Sequence, residues 1–418
     1  MEHHPSRSKV RGKGYFSRLG PGIVTGAADD DPSGIATYSQ VGAATGYRLL
    51  WGTVLLLPLA FAVQEASARI AIVTGKGLAG IIRERLPRTI LVIAVSLVAI
   101  ANTVNIAADL GSIAAALNLM VPIPHMVGVI GAAVVIAALE IFVPYHRYAK
   151  ILRWLCLSLL AYVGVMFVVQ INWAQVGVDS FVPHFIWQKA DIALLIAVAG
   201  TTISPYLFFW QAAEELEDGD QHGHPQPTRT HMGAMRLDVG AGMFTTVFVA
   251  ASIMITAAAT LNAHGITNID TAEQAAQALT PIAGQYASLL FLLGIVGTGL
   301  LTVPVLAGAT SYAIAETFGW SESLEKKPSQ ARAFYAVILL SIALGLTLNL
   351  VGVNPIQFLV IAAITNGLAA PFLMAVIWWL GRDKRLLKKW ASPWWSQVLL
   401  GLAILAMTTL PILWLLAP

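Results

Sequence analysis

Charge is what this sequence most lacks. Only 11% of its 418 residues are Asp, Glu, Lys or Arg, while 57% are hydrophobic, and the mean hydropathy is +0.72. Water-soluble domains carry about 25% charged residues. So large an apolar surplus cannot all be buried in a water-bathed core, so the surrounding solvent is lipid and the expected class is an all-α membrane protein. Cysteine is nearly absent too. The single Cys156 excludes an internal disulfide and a cysteine metal cluster. No Walker-type glycine-lysine motif occurs, which argues against an ATP-driven pump. Neither a nucleophile elbow nor an HExxH is present, so the chain is not expected to be an enzyme. The polar, basic opening stretch does not read as a cleaved signal peptide. No cofactor and no nucleic-acid partner is expected.

What is there is a series of long apolar runs. Spans of about 20 apolar residues mark membrane helices. Eleven are predicted, at 20–45, 49–75, 89–118, 124–145, 148–172, 190–214, 234–262, 285–316, 333–352, 355–381 and 393–416. With the N-terminus inside, 22 of the 25 lysines and arginines fall on inner segments, and 263–284 holds none. That asymmetry follows the positive-inside rule and supports the count of eleven, since an extra or missing helix would scramble the alternation; the C-terminus is then expected outside. The expected location is the inner (plasma) membrane, crossed many times by a monomer.

Two of these spans are interrupted. The first carries "GAADDDPSGIAT", residues 26–37, where Asp29, Asp30 and Asp31 precede Pro32, Ser33 and Gly34. The sixth carries "GTTISPYLFF", with Pro205 at its middle. Proline removes a backbone donor and breaks a helix. Irregular backbone survives at membrane depth only where it lines a protein-buried or watery cavity. Spans one and six run in opposite directions. Paired interruptions in corresponding helices of inverted repeats point to a transporter's binding site. The expected organisation is a five-plus-five inverted repeat with helices one and six broken. A cytoplasmic tail covers 1–19, the first repeat 20–172, the second 190–381 and a closing helix 393–416.

At this point the sequence resembles a known family. "GPGIVTGAADDDPSGIATYSQVGAATGYRLLW", "QEASARIAIVTGKGLAGIIRERLP", "GTTISPYLFFWQ" and "ITNGLAAPFL" are similar to helices one, two, six and ten of natural resistance-associated macrophage protein (NRAMP) metal transporters. The resemblance runs along nearly the whole chain and implies the LeuT-type fold, with helices one and six forming the central site. The family's site motifs are Asp-Pro-Gly-Asn in helix one and Met-Pro-His in helix six. Here Asp31 and Pro32 match, but the Gly becomes Ser33 and the Asn becomes Gly34. Pro205 matches, but the Met becomes Ser204 and the His becomes Tyr206. Of three side-chain ligands only Asp31 survives, and it is the expected ligand if a cation is bound. Where the family places proton-pathway acids in helix three, this chain has Asn105 and Ala108, with Asp109 one position away.

A thioether favours soft or borderline metals, and Ser204 cannot supply that preference. Asp31 with the hydroxyls of Ser33, Thr201, Thr202 and Ser204 is a hard-oxygen set, suited to a hydrated magnesium ion. Half-helix N-termini also attract anions. The resemblance extends to a wider group with magnesium, aluminium and bicarbonate branches, and the lost helix-one Asn turns the leading expectation to a small oxyanion such as bicarbonate. It would move by alternating access, coupled to H+ or Na+ in symport. The alternative is a divalent metal cation, Mg2+ or Mn2+, H+-coupled or uncoupled. A non-transporting receptor or scaffold is the third reading. The binding set expected in any transporter is Asp31, Ser33, Gly34, Thr201, Thr202, Ser204 and Tyr206.

Intramembrane acids are functional by default. Asp30, Asp31, Asp109 and Glu140 are therefore expected to couple protons or ions, although Asp109 and Glu140 could instead pair with Arg153. Successive helical positions point about 100° apart, so at most one or two of the three adjacent aspartates face one cavity. Serines and threonines in membrane helices often bond back to their own turn. Arg236 and Asp238 are expected as an interfacial pair. The stretch 214–231, with His222, His224 and His231, reads as a solvated loop. The tryptophans at 378–379, 390 and 394–395 read as interface anchors.

Overall fold

The structure, a computed structural model, describes residues 21–143, 154, 157–184, 186–222, 227–324 and 326–418. Every extended element among them is helical. The first expected span is two helices, α1 (Pro21–Asp29) and α2 (Pro32–Thr45). Next come α3 (Leu50–Thr74), the short α4 (Leu78–Arg85), α5 (Arg88–Asn118) and α6 (His125–Phe142). The fifth expected span begins outside the described residues, as does Arg153, and its visible part holds α7 (Leu160–Val165). The linker helix α8 (Trp173–Phe181) leads to α9 (Lys189–Thr202) and α10 (Pro205–His222), the two halves of span six. The chain closes with α11 (Arg229–Thr260), α12 (Ala287–Phe318), α13 (Arg332–Leu348), α14 (Pro355–Arg382) and α15 (Trp394–Leu416).

Nine helical segments among the described residues are long and apolar enough to cross a membrane. Eleven spans are expected from the sequence. The difference lies in α1 and α2, each shorter than a span, and in the fifth span, described only in part. The stretch 214–222 is not a loop: α10 carries on to His222, and Gln211 donates to Glu215 within it at 3.0 Å. His224 lies outside the described residues.

The helices sort into two packed groups. α1 and α2 lie along α11, and α3 packs on α10 and α11. α5 packs on α12, α13 and α14. The group that holds both halves of span one and the C-terminal half of span six thus stands beside a second group built on α5. α9 joins them by packing on α14. Without a hydrophobic drive between helices in lipid, close contact depends on small residues. At Gly42 of α2 a Cβ would lie 2.3 Å from the Met254 carbonyl of α11. At Gly200 of α9 it would lie 2.0 Å from the Ala363 carbonyl of α14. α15 sits at the edge, with only 17% of its apolar window buried, and so presents most of its surface to lipid.

Ion pairs on the buried Glu65 carboxylate tie α3 to α11 within the first group, and a hydrogen bond holds α15 to it. Glu65 of α3 bonds Arg69, accepts from Arg236 Nε of α11 at 2.9 Å and accepts from Ser396 Oγ of α15 at 3.3 Å. Arg236 therefore turns to Glu65 rather than to Asp238, because the fully buried carboxylate needs a second cation more than the interface does. Asp238 accepts from the Gly22 N–H at 2.5 Å. Trp395 stacks on Phe61 and lies under Arg236, and Trp378 donates to the Gln397 carbonyl at 3.0 Å.

Candidate functional site

The site starts from the two prolines. Pro32 occupies the first turn of α2, where its missing N–H costs nothing and its ring presets φ. Proline also drives the preceding residue to extended backbone, and Asp31 lies at φ −78°, ψ 170°. That conformation makes Asp31 the N-cap of α2: its Oδ1 accepts from the Gly34 N–H at 2.6 Å. Pro205 repeats the device. α9 ends at Thr202, Ile203 leaves helical backbone at ψ 66°, and α10 starts at Pro205.

Asp31 is fully buried and fully engaged. Ser33 Oγ donates to its Oδ1 at 2.7 Å. Asn105 Nδ2 of α5 donates to its Oδ2 at 2.8 Å. Asn366 Nδ2 of α14 donates in turn to Asn105 Oδ1 at 3.3 Å. The two breaks meet directly: Ser33 Oγ lies 3.5 Å from Thr201 Oγ1, and Tyr38 Oη lies 2.8 Å from Thr202 Oγ1. Across the gap, Tyr206 Oη donates to the Ala28 carbonyl at 3.0 Å, and Thr302 Oγ1 of α12 reaches the same oxygen at 3.3 Å.

The structure thus brings together Asp31, Ser33, Gly34, Thr201, Thr202 and Tyr206. Ser204 is different. Its hydroxyl donates to the Gly200 and Thr201 carbonyls, at 2.9 Å each, and so serves its own turn rather than a shared cavity. Thr202 does both, since it also donates to the Val198 carbonyl at 2.7 Å. Asp29, Asp30 and Asp109 are buried, and both carboxylate oxygens of Asp29 and of Asp109 lack a hydrogen-bond partner. Glu140 is buried on α6, which packs against α5 and α13 rather than forming part of either break.

Sequence reasoning passes over Tyr38, Asn366 and Thr302, and reads Asn105 only as a lost acid. The signal for the amides is present: an uncharged polar side chain in a membrane helix still requires a partner. What is missing is which partner, because α5 and α14 reach Asp31 only through tertiary packing. Among the described residues no group of three or more His, Cys, Asp or Glu side chains converges on a metal-sized point. A cation here would meet one carboxylate, hydroxyls, amides and carbonyls. All are hard oxygen donors, the ligand class of Mg2+ and Mn2+.

The profile of the family described as Natural resistance-associated macrophage protein-like matches residues 22–417. The chain is 32% identical over 297 residues to the divalent metal cation transporter MntH of Aeromonas hydrophila, covering 69% of this chain and 71% of that one. It is 31% identical over 297 residues to the MntH of Erwinia tasmaniensis, covering 69% and 70%. Among solved structures it is similar to the Eremococcus coleocola manganese transporter, with a TM-score of 0.72 and 18% identity, covering 96% of this chain and 87% of that one. The inward-facing conformation of Mhp1 aligns with a TM-score of 0.51 and 13% identity, covering 96% and 91%. The architecture is the LeuT-type transporter fold.

Proposed function

This chain belongs to the natural resistance-associated macrophage protein-like family, and from that premise we propose that it is a secondary transporter of a divalent metal cation. It is a membrane transport protein rather than an enzyme. The cation binds between the broken helices at Asp31 and crosses as the two helix groups rock against each other, exposing the site to each side in turn. The N-terminal tail lies in the cytoplasm and the C-terminus outside.

The observation that carries this reading is the Asp31 carboxylate, buried at the junction of both helix breaks among oxygen donors. A buried carboxylate in a membrane helix is costly and marks an ion path. The donor set favours Mg2+ over softer ions. Ser204 offers no thioether, and its hydroxyl is committed to its own turn. Magnesium keeps several waters and requires few carboxylates, which suits one aspartate ringed by hydroxyls. Coupling to a proton draws support at Asp30 and Asp31, which lie at the helix-one break, and at Asp109, buried on α5 one turn from Asn105. Glu140 has no such placement.

The oxyanion reading loses its physical basis. An anion would require the free N–H groups at the start of α2, but the Asp31 carboxylate already caps that end, with the Ser33 hydroxyl turned to it. Asp29 and Asp30, buried beside Asp31 in the same break, would add to the repulsion of an anion when ionised. The named relatives are divalent metal cation transporters. A silent receptor is also disfavoured, because a dead site would fill with apolar side chains.

The test is uptake by the full chain in proteoliposomes. Mg2+ and Mn2+ should both enter, with Mg2+ competing effectively against Mn2+, and Asp31→Ala should abolish entry. Flux of neither metal, or labelled bicarbonate uptake in their place, would overturn the proposal.

A further inference from the structure

Asp31 is oriented from two other helices through a pair of amides. We propose that Asn105 and Asn366 are positioning residues that form a directed relay from α14 through α5 to Asp31, and that this relay sets the affinity of the ion site. The inference rests on the transport reading above.

The direction of the relay follows from chemistry. An ionised carboxylate only accepts hydrogen bonds. Asn105 must therefore present Nδ2 to Asp31 Oδ2, at 2.8 Å, and its Oδ1 is left to face α14. There it accepts from Asn366 Nδ2 at 3.3 Å. All three side chains are buried, with 0% to 1% exposure, so no water competes for these bonds. The other oxygen of Asp31 is held within its own turn by Ser33 and Gly34. Only the Asn105 bond reports on another helix.

The far end of the relay is anchored to the second break. Gly367, next to Asn366, lies against Gly200 of α9, where a Cβ on Gly200 would sit 2.4 Å from the Gly367 nitrogen. Gly200 is followed within five residues by Pro205, the break in helix six. A shift of α9 on α14 therefore moves Asn366, then Asn105, then the carboxylate. Asn105 and Asn366 thus tell Asp31 where the other half of its site stands.

The experiment is a double-mutant cycle on Mg2+ uptake by the full chain in proteoliposomes, using Asn105→Leu, Asn366→Leu and the double variant. Hydrogen bonds to a charged group are among the stronger ones in proteins. Asn105→Leu should raise the half-saturating Mg2+ concentration about tenfold with the maximal rate little changed. Asn366→Leu should raise it about threefold, and the double variant should match Asn105→Leu alone, because the links act in series. Multiplying effects, or wild-type half-saturation in Asn105→Leu, would overturn the relay. Thermal unfolding in detergent identifies a variant that fails to fold. In that case Asn366→Leu decides alone, and wild-type half-saturation in it overturns the relay. Absence of Mg2+ and Mn2+ flux in the unmutated chain overturns the transport reading itself, and the relay with it.

Discussion

At the scale of single residues, Asp31 concentrates the chemistry. Its carboxylate caps α2, holds Ser33 and takes the amide of Asn105. Removing it leaves those donors unpaired and removes the only carboxylate engaged at the meeting of the breaks. Asp31→Ala should therefore lose uptake entirely. Asp31→Asn, which keeps the shape and loses the charge, should lose at least about tenfold in uptake efficiency, or about 1.4 kcal/mol. Initial-rate measurements decide, and full uptake by either variant would remove Asp31 from the site. Its neighbour Asp29 shows why adjacency in sequence misleads. Asp29 is two positions away yet its carboxylate makes no hydrogen bond, whereas Asn105, 74 positions away, bonds that of Asp31 directly.

At the scale of elements, two contacts carry predictions. The first is the α9–α14 seam. A methyl group on Gly200 would meet α14 backbone at two points, the Ala363 carbonyl at 2.0 Å and the Gly367 nitrogen at 2.4 Å, and backbone cannot step aside. Gly200→Ala should cost at least about 1–3 kcal/mol. A lowered unfolding temperature in detergent would report it, and an unchanged one would mean the helices separate at no cost. The second contact is the C-terminal end of α12. Glu217 of α10 accepts from Tyr312 and from the Leu324 N–H at 3.2 Å, and Glu316 accepts from the Gly80 N–H of the α4 first turn at 2.8 Å. Beside them lies Glu322. Burial, then the Glu316 and Glu217 charges, push its carboxyl up to about 8, against the opposing pull of Lys326 and Arg83. Its Oε2 has no hydrogen-bond partner.

The sign of the Glu322 effect follows from linkage. The closed arrangement holds a proton that an opened one releases at its ordinary value of 4.5. The stabilisation is therefore full below pH 4.5, fades as pH rises, and is gone above about 8. Hydrogen exchange of 319–324, corrected for intrinsic rates, should show more frequent opening at alkaline than at mildly acidic pH. Glu322→Gln should flatten that trend. A wild-type chain with no pH trend would exclude Glu322 as a control on this end.

For the whole molecule, stability rests on burial rather than on counting charges. Glu65 joins α3, α11 and α15 from a fully buried position. Removing one partner of a buried pair typically costs about 3–5 kcal/mol, because it leaves an uncompensated charge. Glu65→Leu strands the buried Arg69, while the half-exposed Arg236 can turn to solvent, and the loss should fall in that range. The Lys76–Glu84 pair is exposed, and Glu84→Ala should cost less than about 1 kcal/mol. Thermal unfolding of both variants in detergent gives the comparison, and equal losses would contradict it.

The sequence by itself determined much of this protein. Hydropathy placed it in lipid, because so little charge can be hydrated. Pro32 and Pro205 marked both helix breaks, since proline acts through local backbone alone. The Asp-Pro pair and the flanking runs pointed to the family. Only the tertiary structure decided which polar groups serve the site. Ser204 and Thr201 look equivalent in a string, yet one bonds back to its own turn and the other meets Ser33 across the gap. It also sent Arg236 to Glu65 and brought Asn105 and Asn366 to Asp31. Local backbone chemistry is written within a few residues and can be read there. The choice of a hydrogen-bond partner depends on which helices touch, and packing across hundreds of positions sets that.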